Sequence, residues 1–334
     1  MRIAILGSTS QIAKDLVRSF AAQGSHELVL YSRRPEVVSR WLSSIGSAVH
    51  YEVVDFAEFD ADERFDAVIN FVGVGDPAQA AVLGTTIFDF TKKYDDLALD
   101  YVRRYPGCRY IFLSSGAAYG ASFDAPVDEN TKAVIAINHL QQQDWYGVAK
   151  LYAECRHRAL APLPIVDLRI FNYFSHTQDL EARFLITDIL RAIRDETVLK
   201  TSAENIFRDF LHPSDFYQLV TAILTSPATN TALDCFTKAP IDKISLLGIL
   251  KIKFGLKYEI VQSKVGLNTT GTKPHYYSLN KRAEDYGYRP MLNSLDGILN
   301  ETNIIVNQLG NENKSSFAWE PINYVENSPR NLDR

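Results

Sequence analysis

The stretch Arg2-Ile3-Ala4-Ile5-Leu6-Gly7-Ser8-Thr9-Ser10-Gln11-Ile12-Ala13 decides the fold. A short apolar run ends at a glycine and a string of small polar residues, and a helical pattern over residues 12–23 follows without a gap. A glycine there permits a tight turn, small residues let the backbone approach a pyrophosphate, and the unpaired N–H groups of a helix N-terminus favour an anion. Ser10 and Ala13 stand where further glycines would be expected. A plain strand-to-helix turn with a Ser/Thr cap is the competing reading.

Working outward, apolar runs recur at 27–31, 50–54, 67–71, 110–113 and 165–170, separated by helical patterns over 35–44, 88–105 and 146–161. Strands buried on both faces read as near-continuous apolar runs, and their alternation with helices predicts an α/β fold, a Rossmann-type doubly wound parallel sheet. Residues 1–173 are expected to form this dinucleotide-binding domain, with 206–235 returning to it. Past residue 174 the rhythm changes: 180–195 and 214–225 have helical patterns, and after Lys238 strands, helix and turns mix without alternation. Residues 174–205 and 236–316 are expected to form a smaller mixed α/β substrate-binding lobe, and 317–334 a polar C-terminal tail.

The chain has 334 residues, 46% hydrophobic and 22% charged, the composition of a globular protein. A net charge of -5 argues against a nucleic-acid partner, and Arg33-Arg34 and Arg103-Arg104 are too short to reverse that. Cys108, Cys155 and Cys235 lie far apart, so neither a disulfide framework nor a metal site is expected. No apolar run suits a signal peptide or a membrane span, and a cytoplasmic enzyme is the default.

Several constellations carry chemistry. Tyr146 and Lys150 are four residues apart, which on a helix sets a phenol and an ammonium on one face. The second run ends Ser32-Arg33-Arg34 with no acid to hold a ribose 2′-OH, which suits a 2′-phosphate and favours NADP over NAD. Asp55, with Phe56 after it, closes the third run, and Asn70-Phe71-Val72-Gly73 ends the fourth beside the path of a dinucleotide. Ser114-Ser115-Gly116 ends the fifth, where ligands sit in such sheets. Arg208, in Phe207-Arg208-Asp209-Phe210-Leu211-His212-Pro213-Ser214-Asp215, suits a diphosphate; an ion pair with Asp209 or Asp215 is the alternative.

In this order the motifs resemble the extended short-chain dehydrogenase/reductases of the nucleotide-sugar epimerase/dehydratase group, from Met1 to about Ile298. The likeness continues in Arg169-Ile170-Phe171-Asn172 and Tyr286-Gly287-Tyr288-Arg289-Pro290. The resemblance implies Ser115, Tyr146 and Lys150 as the catalytic triad. It implies a cofactor site built from Gly7, Thr9, Ser10, Gln11, Ile12, Ser32, Arg33, Arg34, Asp55, Phe56, Asn70, Phe71, Val72, Tyr146 and Lys150. Asn172 and Arg208, with Ser114 and Gly116, should meet a nucleotide-diphosphate sugar. In these roles Lys150 would lower the phenol pKa, Tyr146 would pass a proton and Ser115 would hold the reacting oxygen. The likeness also implies a homodimer. The chain departs from it at Tyr94-Asp95-Asp96, where the family often has an asparagine. It departs again at Gly116-Ala117, where the 4,6-dehydratases carry Asp-Glu. A 4-ketoreductase is the expectation, a 4-epimerase with tightly bound cofactor the alternative, and a non-catalytic NADP sensor a third reading.

Overall fold

The computed structural model describes residues 1–24, 26–45, 51–59, 62–74, 80, 82–120, 122–262 and 273–312. The chain alternates β1 (Arg2–Leu6), α1 (Gln11–Gln23), β2 (Glu27–Ser32), α2 (Pro35–Ser44), β3 (Glu52–Asp55), β4 (Ala67–Asn70), α3 (Thr86–Arg104), β5 (Arg109–Ser115), α4 (Trp145–Ala159) and β6 (Ile165–Ile170). After β7 (Asn172–Tyr173) come α5 (Leu185–Arg194), β8 (Val198–Ser202), β9 (Phe207–Arg208), β10 (Phe210–Leu211), α6 (Pro213–Thr225) and β11 (Thr231–Asp234). The remainder is β12 (Ile241–Asp242), α7 (Lys243–Phe254), β13 (Lys257–Val261), β14 (His275–Tyr276) and α8 (Ser294–Glu312).

Seven parallel strands form one sheet in the order β11-β6-β5-β4-β1-β2-β3. This is the doubly wound Rossmann order, extended by a strand at one edge. The strand order reverses between β1 and β4, which opens a crevice at their carboxyl ends. Side chains of β1 sort by the period of two: Ile3 and Ile5 pack with Leu16, Val17 and Phe20 of α1 and Leu219 and Val220 of α6. Ala4 and Leu6 pack with Ala98, Leu99 and Val102 of α3 and Ala153 of α4. All four β1 residues are fully buried, which is why the run reads as continuous rather than alternating.

A third apolar cluster joins Ile189 and Leu190 of α5, Leu246, Leu247 and Leu250 of α7 and Ile298 of α8. The parallel pair β8 and β13 accompanies it; neither strand stands out in the sequence. The expected 110–113 strand runs on to Ser115, because Ser114 and Ser115 pair with Arg169 and Ile170 of β6 despite poor strand propensity. The expected helix from residue 180 begins only at Leu185, where Thr187 Oγ1 accepts from the Phe184 N–H and sets the start. His50 at the start of the third expected strand, and the tail 317–334, lie outside the described residues. Among the described residues no helix is long and apolar enough to cross a membrane.

Candidate active site

A cavity of about 2480 Å³ opens at the carboxyl ends of the strands and runs on past β7, α5 and β9. It is larger than the roughly 300–1,000 Å³ that one small ligand needs, so there is room for two. At its sheet end Gly7 turns the chain from β1 into α1 with φ of +81°. A Cβ there would lie 2.9 Å from the Val72 nitrogen, so only glycine brings β1 this close to the end of β4. Ser10 precedes the first turn of α1 without placing a side-chain cap on it, which leaves first-turn N–H groups available. Thr9, Ser10, Gln11 and Ile12 all line the cavity, as do Phe71 and Val72.

At the end of β2, Ser32, Arg33 and Arg34 line the same space. The Arg34 N–H donates to Ser32 Oγ at 3.0 Å, and the Arg33 guanidinium lies 5.4 Å from the centroid of Phe90. Two expected cofactor residues are placed differently. Asn70 turns its amide inward: Nδ2 donates to the Tyr110 hydroxyl and the Tyr94 carbonyl, and Oδ1 accepts from the Val72 N–H. Asp55 accepts from the Ala57 N–H at 2.8 Å and so stops β3 in a short turn. Neither lines the cavity; Phe56 does.

Tyr146 and Lys150 sit on one face of α4 and Ser115 ends β5 facing them, all lining the cavity. The Lys150 ammonium donates to the Leu113 carbonyl at 2.6 Å and stands 5.9 Å from the Tyr146 ring centroid and 4.5 Å from that of Phe112. Burial pushes its pKa down to about 8, with Asp95, Asp167 and Glu154 opposing. Burial raises the Tyr146 phenol, opposed by its hydrogen bond with Ser115. The expected lowering of the phenol by Lys150 is therefore absent from this geometry: the ammonium is held by the Leu113 carbonyl, and desolvation governs the phenol.

Ser114 lines the cavity as expected, but its hydroxyl is engaged elsewhere. Side chains alternate along a strand, so the Ser115 hydroxyl faces Tyr146 while Ser114 Oγ donates to Glu154 Oε1 at 2.5 Å. Gly116 serves packing, since a Cβ there would lie 2.4 Å from the Phe171 ring. The sequence reading missed Tyr276. Its hydroxyl lies 3.2 Å from Ser115 Oγ, completing a group of three hydroxyls with Tyr146, and burial raises its pKa well above that of a free phenol. It arrives because β14 pairs with β9, and Pro274-His275-Tyr276-Tyr277 carries no motif that announces it.

Arg208 lines the far part of the cavity and donates to the Phe207 and Lys273 carbonyls at 2.8 and 2.7 Å. The ion pair considered for it does not form. Asp209 accepts from Thr237 and Ser294, and Asp215 from the Met291 and Leu292 N–H groups. Burial without a carboxylate beside it pushes Arg208 down to about 10. Asn172 Nδ2 donates to the Asp209 carbonyl at 3.3 Å and, like Arg208, lines the cavity. Lys273, equally buried, is pushed down to about 8, partly by Arg208.

The sequence model of the NAD dependent epimerase/dehydratase family matches residues 3–234. The chain belongs to this family. It is an enzyme of the extended short-chain dehydrogenase/reductase type, and its Rossmann sheet is that of the nucleotide-sugar epimerases and dehydratases. Among solved structures, the UDP-glucose 4-epimerase of Thermotoga maritima with UDP-glucose aligns over 92% of this chain and 100% of its own, at 16% identity and TM-score 0.73. The UDP-glucose-4-epimerase of Stenotrophomonas maltophila, with NAD and formylated UDP-arabinopyranose, aligns over 93% and 99% at 17% identity and TM-score 0.77. The dTDP-glucose 4,6-dehydratase of Bacillus anthracis with NAD aligns over 94% and 97% at 15% identity and TM-score 0.73. No curated protein sequence matches the chain significantly.

The epimerase/dehydratase family works with a nicotinamide cofactor, and the residues present fit one. Gly7 lines the cavity without a side chain, and the first turn of α1, whose N–H groups no side chain caps, adjoins it. At Gly73 a Cβ would lie 3.0 Å from the Lys150 ammonium, so the wall beside that lysine is also free of side chain.

Proposed function

We propose that the protein is an NADP(H)-dependent reductase of a nucleotide-activated 4-keto sugar, with Tyr146 as the proton donor. The observation that carries this reading is the end of β2, where Ser32, Arg33 and Arg34 face the cavity and no carboxylate stands among them. Two guanidiniums suit a 2′-phosphate, and a ribose 2′-OH would ask for an acid. The bound cofactor supplies the hydride at C4 of the sugar. Ser115 holds the C4 oxygen by a hydrogen bond, and Tyr146, a phenol that burial keeps protonated more firmly still, donates the proton that turns the oxygen into a hydroxyl. Lys150, braced on the Leu113 carbonyl, brings positive charge beside the developing phenolate. Arg208 and Asn172 hold the nucleotide diphosphate at the other end of the cavity. Elimination of water is disfavoured, because Gly116-Ala117 carries no acid and no side chain fits at residue 116 against Phe171.

A second reading, a 4-epimerase, is favoured by the epimerases with NAD and a UDP-sugar among the structural relatives. Incubation with NADPH and a 4-keto sugar nucleotide separates the two. The reductase consumes one NADPH per hydroxyl formed. Interconversion of C4 epimers without added reductant would overturn it in favour of the epimerase.

A further inference from the structure

A second, smaller cavity of about 360 Å³ opens where the segment after β5 meets the edge of the sheet at β11. Arg158 near the end of α4, Arg169 on β6 and Arg282 beyond β14 all line it, with Asn230, Asn280 and Thr231. Its size suits a small ligand, yet its wall is polar where ligand pockets are mostly apolar.

The three arginines are unequally satisfied. Arg169 is fully engaged: it donates to Glu154 at 2.5 Å, to the Tyr119 hydroxyl at 2.7 Å and to Asp234 at 3.4 Å. Arg158 gives Nη2 to Asp167 at 2.8 Å and to the Ile165 carbonyl at 3.3 Å, but its Nε and Nη1 are buried without a hydrogen-bond partner. Arg282 gives Nη2 to Thr231 Oγ1 at 3.1 Å, and among the described residues no carboxylate pairs with it. Glu129 at the rim is exposed and forms no ion pair among the described residues. Burial, together with the charges of Arg169 and Arg282, presses Arg158 below the usual guanidinium range. Buried donors left unmade cost about 1–3 kcal/mol each, more when charged, and native structures rarely hold them without a partner.

We propose that this cavity is a binding site for a compact oxyanion of the phosphate class, held by Arg158 and Arg282. A phosphate presents several acceptor oxygens in different directions, which matches donors converging from two helical segments and the β11 edge; a planar carboxylate offers two in one plane. The site is separate from the one that binds cofactor and substrate, but the two share a wall, since Tyr119 and Thr131 line both cavities. A bound anion would brace residues 128–134 from behind.

The test titrates inorganic phosphate into the full chain and follows the unfolding temperature and amide hydrogen exchange. Arg282 is exposed, so Arg282→Gln should fold normally, and Arg158→Lys keeps the charge facing Asp167 while removing the fork. Phosphate should raise the unfolding temperature saturably and slow exchange over residues 128–134. Arg282→Gln should weaken this binding about tenfold or more, as expected for one lost charge-assisted contact. Arg158→Lys should weaken it too, and Arg208→Gln in the main cavity should leave it unchanged. The proposal is overturned if phosphate gives no saturable effect or if Arg282→Gln binds it as tightly as the parent. Protection confined to the start of α1 and the Arg208 segment would overturn it as well.

Discussion

The helix that carries Tyr146 and Lys150 is anchored at its far end by His157, whose titration should be visible in the stability of the whole protein. His157 is fully buried; its Nδ1 lies 2.6 Å from Asp167 of β6 and its Nε2 2.8 Å from Asp95 of α3. Burial disfavours the charged ring, but the two carboxylates outweigh it and raise the pKa from 6.5 to about 9. That rise corresponds to about 3 kcal/mol. Because the folded pKa lies above the unfolded one, this contribution is fully present below about pH 6.5 and is lost as pH rises through about 9. Lys150 and Lys273 act in the opposite sense. Their folded pKa values of about 8 lie below the free value, so they add stability as pH climbs past 8. The histidine's share is therefore the difference between the parent and His157→Gln, which cannot take a proton. Urea unfolding of both proteins between about pH 6 and pH 10 should show the parent's advantage shrinking by about 2–4 kcal/mol, with unchanged m values. At the acidic end the variant should be about 3 kcal/mol less stable, since the two carboxylates lose their shared cation but keep Arg156 and Arg158. An advantage that stays constant across that range would mean that the ring is neutral, and would refute the anchoring argument.

The other predictions concern the site and its frame. Replacing both Arg33 and Arg34 with alanine should weaken NADPH binding about tenfold or more while changing NADH binding little, as read by quenching of protein fluorescence; equal loss for both cofactors would count against a 2′-phosphate contact. Gly116→Ala should cost about 1–3 kcal/mol in chemical denaturation, because its Cβ meets the Phe171 ring at 2.4 Å. Burial would raise the Glu301 pKa, but hydrogen bonds from His176 and His212 hold it down to about 2, so its contribution is present above about pH 4.5 and fades as pH falls towards 2. Glu301→Gln should flatten that acid limb by about 2–3 kcal/mol, and an unchanged limb would show that the two histidines do not act on it.

Much of this was legible in the sequence, for reasons visible in the structure. Strands buried on both faces, such as β1 and β4, have no solvent side to interrupt their apolar run, so their places were plain. The Tyr146 and Lys150 pair was plain because helical spacing alone puts both on one face. The errors lie where side-chain direction or distant pairing decides. Asn70 and Asp55 sit at strand ends as expected, but turn to Tyr110 and to the Ala57 N–H, which no pattern of residue types reveals. Ser114 and Ser115 are neighbours in sequence and both line the cavity, yet one hydroxyl is taken by Glu154 while the other faces Tyr146. Tyr276 reaches Ser115 from 161 residues away through the β9 and β14 pairing, and the arginines of the second cavity come from three separated segments.

In the proposed reduction Tyr146 delivers a proton to the sugar oxygen beside Ser115. Single-turnover reduction of a 4-keto sugar nucleotide by NADPH, followed by loss of NADPH absorbance in the parent and in Tyr146→Phe, tests it most directly. The variant should react about 10²–10⁴ more slowly with NADPH affinity unchanged, because the phenol acts on the chemical step and not on binding. A variant that turns over at the parental rate would contradict it.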